Sequence, residues 1–252
     1  MYPVLFIGHG TPLNAIEDNE FTKGWKEVAE RIPKPRTILV ISAHWVTRKL
    51  RVHVSKKPRT IHDFYYFPKE LYEINYEVAG DPRIAEKVIQ LTKAKTDNAW
   101  GLDHGAWSVL YQMYPEQDVK VLQLSVDYYK KPEELFQIGK ALRELRSDAM
   151  IVGSGNIVHN LRKADFCKAD GYNWAEKYDD LIRAKIFERD FESIINYGKI
   201  PESQLAFASS EHFSPLLYVL GAVSAKDEIQ VFNNACTFGS VSMTSYLFAA
   251  KD

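Results

Sequence analysis

Short, nearly unbroken apolar runs alternate along the chain with longer segments whose apolar residues recur every three to four positions. Residues 4–7 and 37–42 (TILVIS) are β-branched and aliphatic almost throughout, the pattern of strands buried on both faces of a sheet. Residues 119–126 and 149–152 repeat that pattern, and 51–55 alternates like a strand with one solvated face. Residues 71–78, 229–232 and 240–248 read as further strands. Between them, Phe21, Trp25, Val28 and Ala29 define a helix over 20–31 that Pro33 and Pro35 end. Asp81 reads as an N-cap with Pro82 at the first helical position and Ile84, Val88 and Leu91 as the buried stripe. Helices are also expected after a loop at 100–107, to about Tyr114, and over 132–146, 174–189, 191–197 and 216–223. The alternation predicts an α/β fold: one domain over 1–252, with a central mostly parallel or mixed sheet flanked by helices.

With 252 residues and 46% hydrophobic content, the chain has material for one substantial core. A net charge of -1, from 32 basic and 33 acidic residues, provides no global field toward nucleic acid or an anionic membrane. No apolar run approaches the roughly 20 residues that span a bilayer. The two cysteines, Cys167 and Cys236, lie far apart and outside any CxxC, which argues against a disulfide framework or a cysteine zinc site. With no basic segment and cleavage site ahead of the first strand, the expected location is the cytoplasm.

The chemistry suggested by the chain lies in its seven histidines. His9, His44, His104, His159 and His212 fall where strands end or helices begin, whereas His53 sits inside an alternating strand and reads as structural. Any one of the five, alone, is most simply a satisfied core or surface residue. Five at strand tips are different, because the carboxyl edge of an α/β sheet would gather them into one crevice. Imidazole with carboxylate suits Fe(II), Zn and similar metals. No HExxH occurs, and GSGN (153–156) matches neither nucleotide-binding glycine motif. Ser154 and Ser210 lack a GxSxG elbow.

Six motifs in order, GHGTP (8–12), SAHW (42–45), TIHDFYYFP (60–68), DHGAW (103–107), GSGNIVHNL (153–161) and EHFSPLLYVLGA (211–222), resemble the class III extradiol ring-cleavage dioxygenases. This is the superfamily of protocatechuate 4,5-dioxygenase, and within it the likeness is to the single-chain 4,5-DOPA extradiol dioxygenase group. The resemblance implies a metal site at the carboxyl ends of the strands, with His9, His44 and His212 as ligands and Glu211 as the rival for the third position. It implies an acid/base role for His159, which in a substrate-free state could itself touch the metal, and a second pocket role for His104. His62 and Tyr66 match a stretch on the substrate side.

The activity implied is insertion of O2 into a catechol ring to give a muconic semialdehyde. Fe(II) would be the active metal, and Zn could occupy the same site. A histidine titrating near neutrality would suit His159 as acceptor of a catechol proton. Two alternatives share the scaffold: a zinc-dependent hydrolase and a non-enzymatic binding protein. The expected partners are a small catechol and O2, with no nucleic acid or membrane, and self-association into a homo-oligomer stays open.

Overall fold

The computed structural model describes residues 1–251, so Asp252, the end of the expected domain range, lies outside it. Strands β1 (Val4–Gly8), β2 (Thr37–Thr47), β3 (Arg51–His53), β4 (Lys95–Asp97), β5 (Lys120–Asp127) and β6 (Met150–Gly155) form most of the sheet. Helices α1 (Glu20–Arg31), α2 (Lys69–Glu73), α3 (Pro82–Thr92), α4 (His104–Met113) and α5 (Pro132–Leu142) alternate with them. The second half adds α6 (Asn173–Phe187), α7 (Phe191–Ile195), α8 (Ser203–Ala206), α9 (Ser214–Ala222), β7 (Asp227–Phe232), β8 (Cys236–Thr237), β9 (Val241–Ser242) and β10 (Ser245–Ala250).

The eight-stranded sheet runs β4-β3-β5-β2-β6-β1-β10-β7. Its centre is parallel, through β5, β2, β6 and β1, while β10 and β7 close one side antiparallel. Consecutive residues of the central strands point to opposite faces, so each strand feeds two cores. Val4, Phe6, Leu39 and Ile41 pack with Leu216, Val219 and Leu220 of α9 on one face. Leu5, Ile7, Ile38 and Val40 pack with Trp25 of α1 and Trp107 and Leu110 of α4 on the other. Each fully buried side chain of this kind contributes about 1.5–3 kcal/mol of transfer free energy. This explains why the central strands read as continuous apolar runs rather than alternating ones.

Three expectations change. Residues 71–78 are not a strand: Pro68 leads into α2, and the chain then runs irregularly, with Leu71, Tyr76 and Val78 buried one by one. The aromatic and β-branched content there imitates a strand, but the segment's bond to the sheet comes from Val121 N–H to Ala79 O. The strand expected at 240–248 is broken between β9 and β10, where the hydroxyls of Ser242 and Thr244 turn aside to donate to buried Asp179 (2.5 and 2.6 Å). The loop at 100–107 ends earlier than expected, because Asp103 caps α4 by accepting from Ala106 N–H, making His104 the first helical residue. Among the described residues, no helix is long and apolar enough to cross a membrane.

Candidate active site

The parallel strands bring their carboxyl ends to one edge, and the histidines gather there. In β2 the register against β5 shifts between Ile41 and Val46, and this irregularity re-aims His44. His9 directly follows β1, with its main chain tied to Gly155 O (3.2 Å) and to the Asn14 amide (2.9 Å). Two glycines permit the close packing around them. A Cβ on Gly105 would lie 2.9 Å from the His44 ring, and one on Gly155 would lie 2.1 Å from His212 O.

The hydrogen bonds behind the rings set their tautomers. Ser154 Oγ gives its one proton to Gly105 O (2.6 Å), so His9 Nδ1, 2.9 Å away, must donate to it. His44 Nδ1 faces Asp63 Oδ2 at 3.3 Å, and a carboxylate only accepts. Both Nε2 atoms therefore carry bare lone pairs, and they lie 3.1 Å apart. Two lone pairs facing at that distance repel unless a cation lies against them, so this donor pair fits a metal ion, with Ser154 and Asp63 already holding the far nitrogens of the two rings.

His104 Nδ1 also approaches Asp63 Oδ2 (3.0 Å), and its backbone N–H donates to Asp63 Oδ1 (2.8 Å). Donor atoms of His9, His44 and His104 all lie within 4.8 Å of one another. The His212 ring centroid is 5.3 Å from that of His9 and 4.9 Å from that of His44. His212 stacks on His159 at 3.5 Å, and its Nε2 is buried without a hydrogen-bond partner.

Burial, followed by the neighbouring histidines, holds His9 and His212 well below the ordinary imidazole range. His44 follows them for the same reasons, with Asp63 opposing in part. Burial and then His104 push His159 down to about 4, well under the near-neutral value expected for it. His9, His44, His159 and His212 are thus neutral at pH 7. At Asp63 burial works upward, but its contacts with His104 and His44 outweigh it and leave the carboxyl below its usual range.

A cavity of about 370 Å³ opens onto His44, His104, His159 and His212, within the size range of small-molecule sites. Gly10, Thr11, Pro12 and Val241 line it together with Phe64, Phe67, Leu161, Phe166 and Phe238.

The remaining expected site residues lie elsewhere. Tyr66 is fully exposed, with φ of 65°, and does not line the cavity. His62 is also outside the lining: its Nε2 lies 3.0 Å from Ile74 O and its ring packs among Phe64, Tyr72 and Trp107. Glu211 lines a separate cavity with Asp127, Tyr128 and Lys130, whereas its neighbour His212 faces the histidine cluster. Sequence reasoning passed over Asp63 between His62 and the aromatics; a lone acid in so apolar a stretch was the available signal. It also passed over the role of Ser154 at the tip of β6.

A histidine cluster at the carboxyl edge of a mixed α/β sheet, beside an aromatic-walled cavity, defines a metal-dependent enzyme for a small aromatic molecule. Residues 3–249 match the family described as the catalytic LigB subunit of aromatic ring-opening dioxygenase, and the chain belongs to that family of extradiol ring-cleavage enzymes. It is 38% identical to the 4,5-DOPA dioxygenase extradiol of Escherichia coli K12, covering 96% of this chain and 93% of that one. Its identity to the protein of the same name from Beta vulgaris is 35%, over 97% and 96% of the two chains. A crystal structure of an uncharacterized Escherichia coli K12 protein superposes with a TM-score of 0.85 at 34% identity, covering 98% of this chain and 99% of that one.

Proposed function

We propose that this chain, acting as one catalytic domain over 1–252 in the cytoplasm, opens a catechol ring at the carbon–carbon bond beside its paired hydroxyls. Both atoms of O2 enter the product, a muconic semialdehyde. The metal would be held by His9, His44 and His212, with Fe(II) as the active ion; Zn suits the same imidazoles. The facing Nε2 atoms of His9 and His44, 3.1 Å apart, carry this reading. Fe(II), when bound, supplies the redox path that lets catechol electrons reach O2.

The chain's own groups do the rest. His159 lines the cavity and, pushed down to about 4, accepts a catechol hydroxyl proton only where a bound cation would make that hydroxyl more acidic. His104 has one nitrogen turned toward Asp63, so a proton taken up on its other nitrogen leaves an imidazolium beside a carboxylate. The aromatic walls exclude water from the ring.

The 4.8 Å grouping of His9, His44 and His104 favours a second reading, with His104 as third ligand. Metal content and oxygen uptake after anaerobic Fe(II) loading separate the two. In the leading reading His212→Ala loses most bound metal while His104→Ala keeps metal and loses turnover; the reverse pattern makes His104 the ligand. If catechols consume no oxygen with iron demonstrably bound, the dioxygenase proposal fails, and hydrolysis by the zinc form becomes the test.

A further inference from the structure

We infer that the cavity selects catechols with an uncharged, apolar substituent over those whose side chain carries a carboxylate or an amino-acid group. The inference rests on the proposed reading, since it takes the catechol oxygens to sit at the histidines. DOPA, for which the relatives are named, does not carry over to this chain, because its side chain bears an ammonium and a carboxylate.

A ring seated at the histidines directs its substituent against Phe64, Phe67, Phe166, Phe238 and Leu161. Among the described residues, no Lys, Arg, Asp or Glu lines this cavity. Arg162 and Lys163 follow Leu161 in sequence but are exposed and outside the lining. A charged group brought here loses hydration without gaining a counter-charge. Each methylene placed here instead gains roughly fourfold in affinity.

The backbone points the same way. Phe238 holds φ at +52°, a conformation unfavourable for an aromatic residue. It is kept there by its N–H donating to Lys168 O (2.9 Å) and its carbonyl accepting from Asp165 N–H (3.0 Å). That strain delivers a ring to the cavity wall. Its neighbour Phe166, with ring centroids 5.6 Å apart, extends the apolar wall out to the rim, where it is 70% exposed. So large an exposed ring beside a cavity mouth suits a substituent that reaches outward from the site.

Three probes with the same three-carbon side chain provide the test: 4-propylcatechol, 3-(3,4-dihydroxyphenyl)propanoate and DOPA. Anaerobic titration calorimetry on the Fe(II)-loaded protein should find propylcatechol bound at least about tenfold more tightly than either charged probe. Equal or tighter binding of the propanoate or DOPA would overturn the inference. Phe166→Arg, at an exposed position that does not endanger folding, should tighten the propanoate and narrow the ratio; an unchanged ratio would overturn the role given to this wall. Oxygen uptake with the same probes reports on the reaction separately. Binding in the expected order without oxygen consumption would sink ring cleavage and leave the ligand ranking standing. Failure of all three to bind would overturn both.

Discussion

His9 and Ser154 form a hydrogen bond whose direction is fixed. The serine hydroxyl, committed to Gly105 O at 2.6 Å, has no proton left for the imidazole 2.9 Å away. The histidine must therefore donate from Nδ1, and Nε2 is bare whether or not an ion is present. With His44 Nδ1 likewise turned to the Asp63 carboxylate, neither Nε2 has a proton to give the other, which is wrong for a simple His9–His44 hydrogen bond and right for a pair of metal ligands.

Ser154→Ala removes that constraint and little else, since the residue is small and already buried. His9 can then adopt either tautomer, and its Nδ1 loses a partner. Metal affinity, measured by competition with a chromophoric chelator, should fall roughly 10–100-fold. The unfolding free energy of the metal-free protein should fall by only about 1 kcal/mol. An unchanged affinity would mean that Ser154 does not orient a ligand.

Asp63 serves two rings at once, with one oxygen 3.3 Å from His44 Nδ1 and 3.0 Å from His104 Nδ1. Asp63→Asn keeps the shape but replaces half of the carboxylate with a donor and removes the negative charge beside His104 Nδ1. Two losses should appear together: metal affinity about tenfold or more lower, and a kcat reduction of 10²–10⁴ that persists at saturating Fe(II). A defect fully rescued by added metal would show that Asp63 orients His44 only.

The strand-tip histidines were legible because a buried parallel strand has a distinctive composition and its carboxyl end is where ligands collect. What joins them was not. Asp63 reaches His44 and His104 from a loop, and nothing in a linear pattern shows which residue of TIHDFYYFP turns inward. The family resemblance implied that His62 and Tyr66 faced the substrate side, yet Tyr66, with a φ of 65°, lies in solvent and His62 turns its Nε2 to Ile74 O instead. The far wall, Leu161, Phe166 and Phe238, comes from irregular segments whose proximity is a tertiary result. The low pKa of His159 likewise depends on burial that no sequence pattern expresses.

Stability of the metal-free protein should depend on pH through two opposing effects. His159, at about 4 folded against 6.5 unfolded, binds fewer protons in the native state between those values, as do His9, His44 and His212. Their contribution is present above pH 6.5 and is lost as pH falls. Asp179 acts in reverse: burial raises it from 3.8 to about 6 despite its hydroxyl partners, so its contribution is present below 3.8 and is lost as pH rises through 6. The His159 and Asp179 shifts are each worth about 3 kcal/mol and nearly offset each other, so the direction is set by His9, His44 and His212, all of which are lowered. Urea midpoints should therefore fall from pH 7 to 4.5. Asp179→Asn should steepen that fall and His159→Gln should make it shallower; a steeper fall in His159→Gln would contradict the burial argument.

Remote from the site, Arg146 and Asp227 form a fully buried two-pronged ion pair, with N–O distances of 2.6 and 3.0 Å. The guanidinium also reaches Tyr2 O and Ala222 O, tying together the segment before β1, the end of α9 and the start of β7. Such a pair contributes modest net stability, because desolvating both charges offsets much of their attraction. Breaking it is another matter: Asp227→Asn strands a buried cation and should cost about 3–5 kcal/mol in urea unfolding. Arg146→Met with Asp227→Leu removes both charges and should recover most of that loss. If the double variant were as unstable as the single one, the hydrogen bonds to Tyr2 and Ala222, rather than the charge pair, would be what holds this edge of the sheet together.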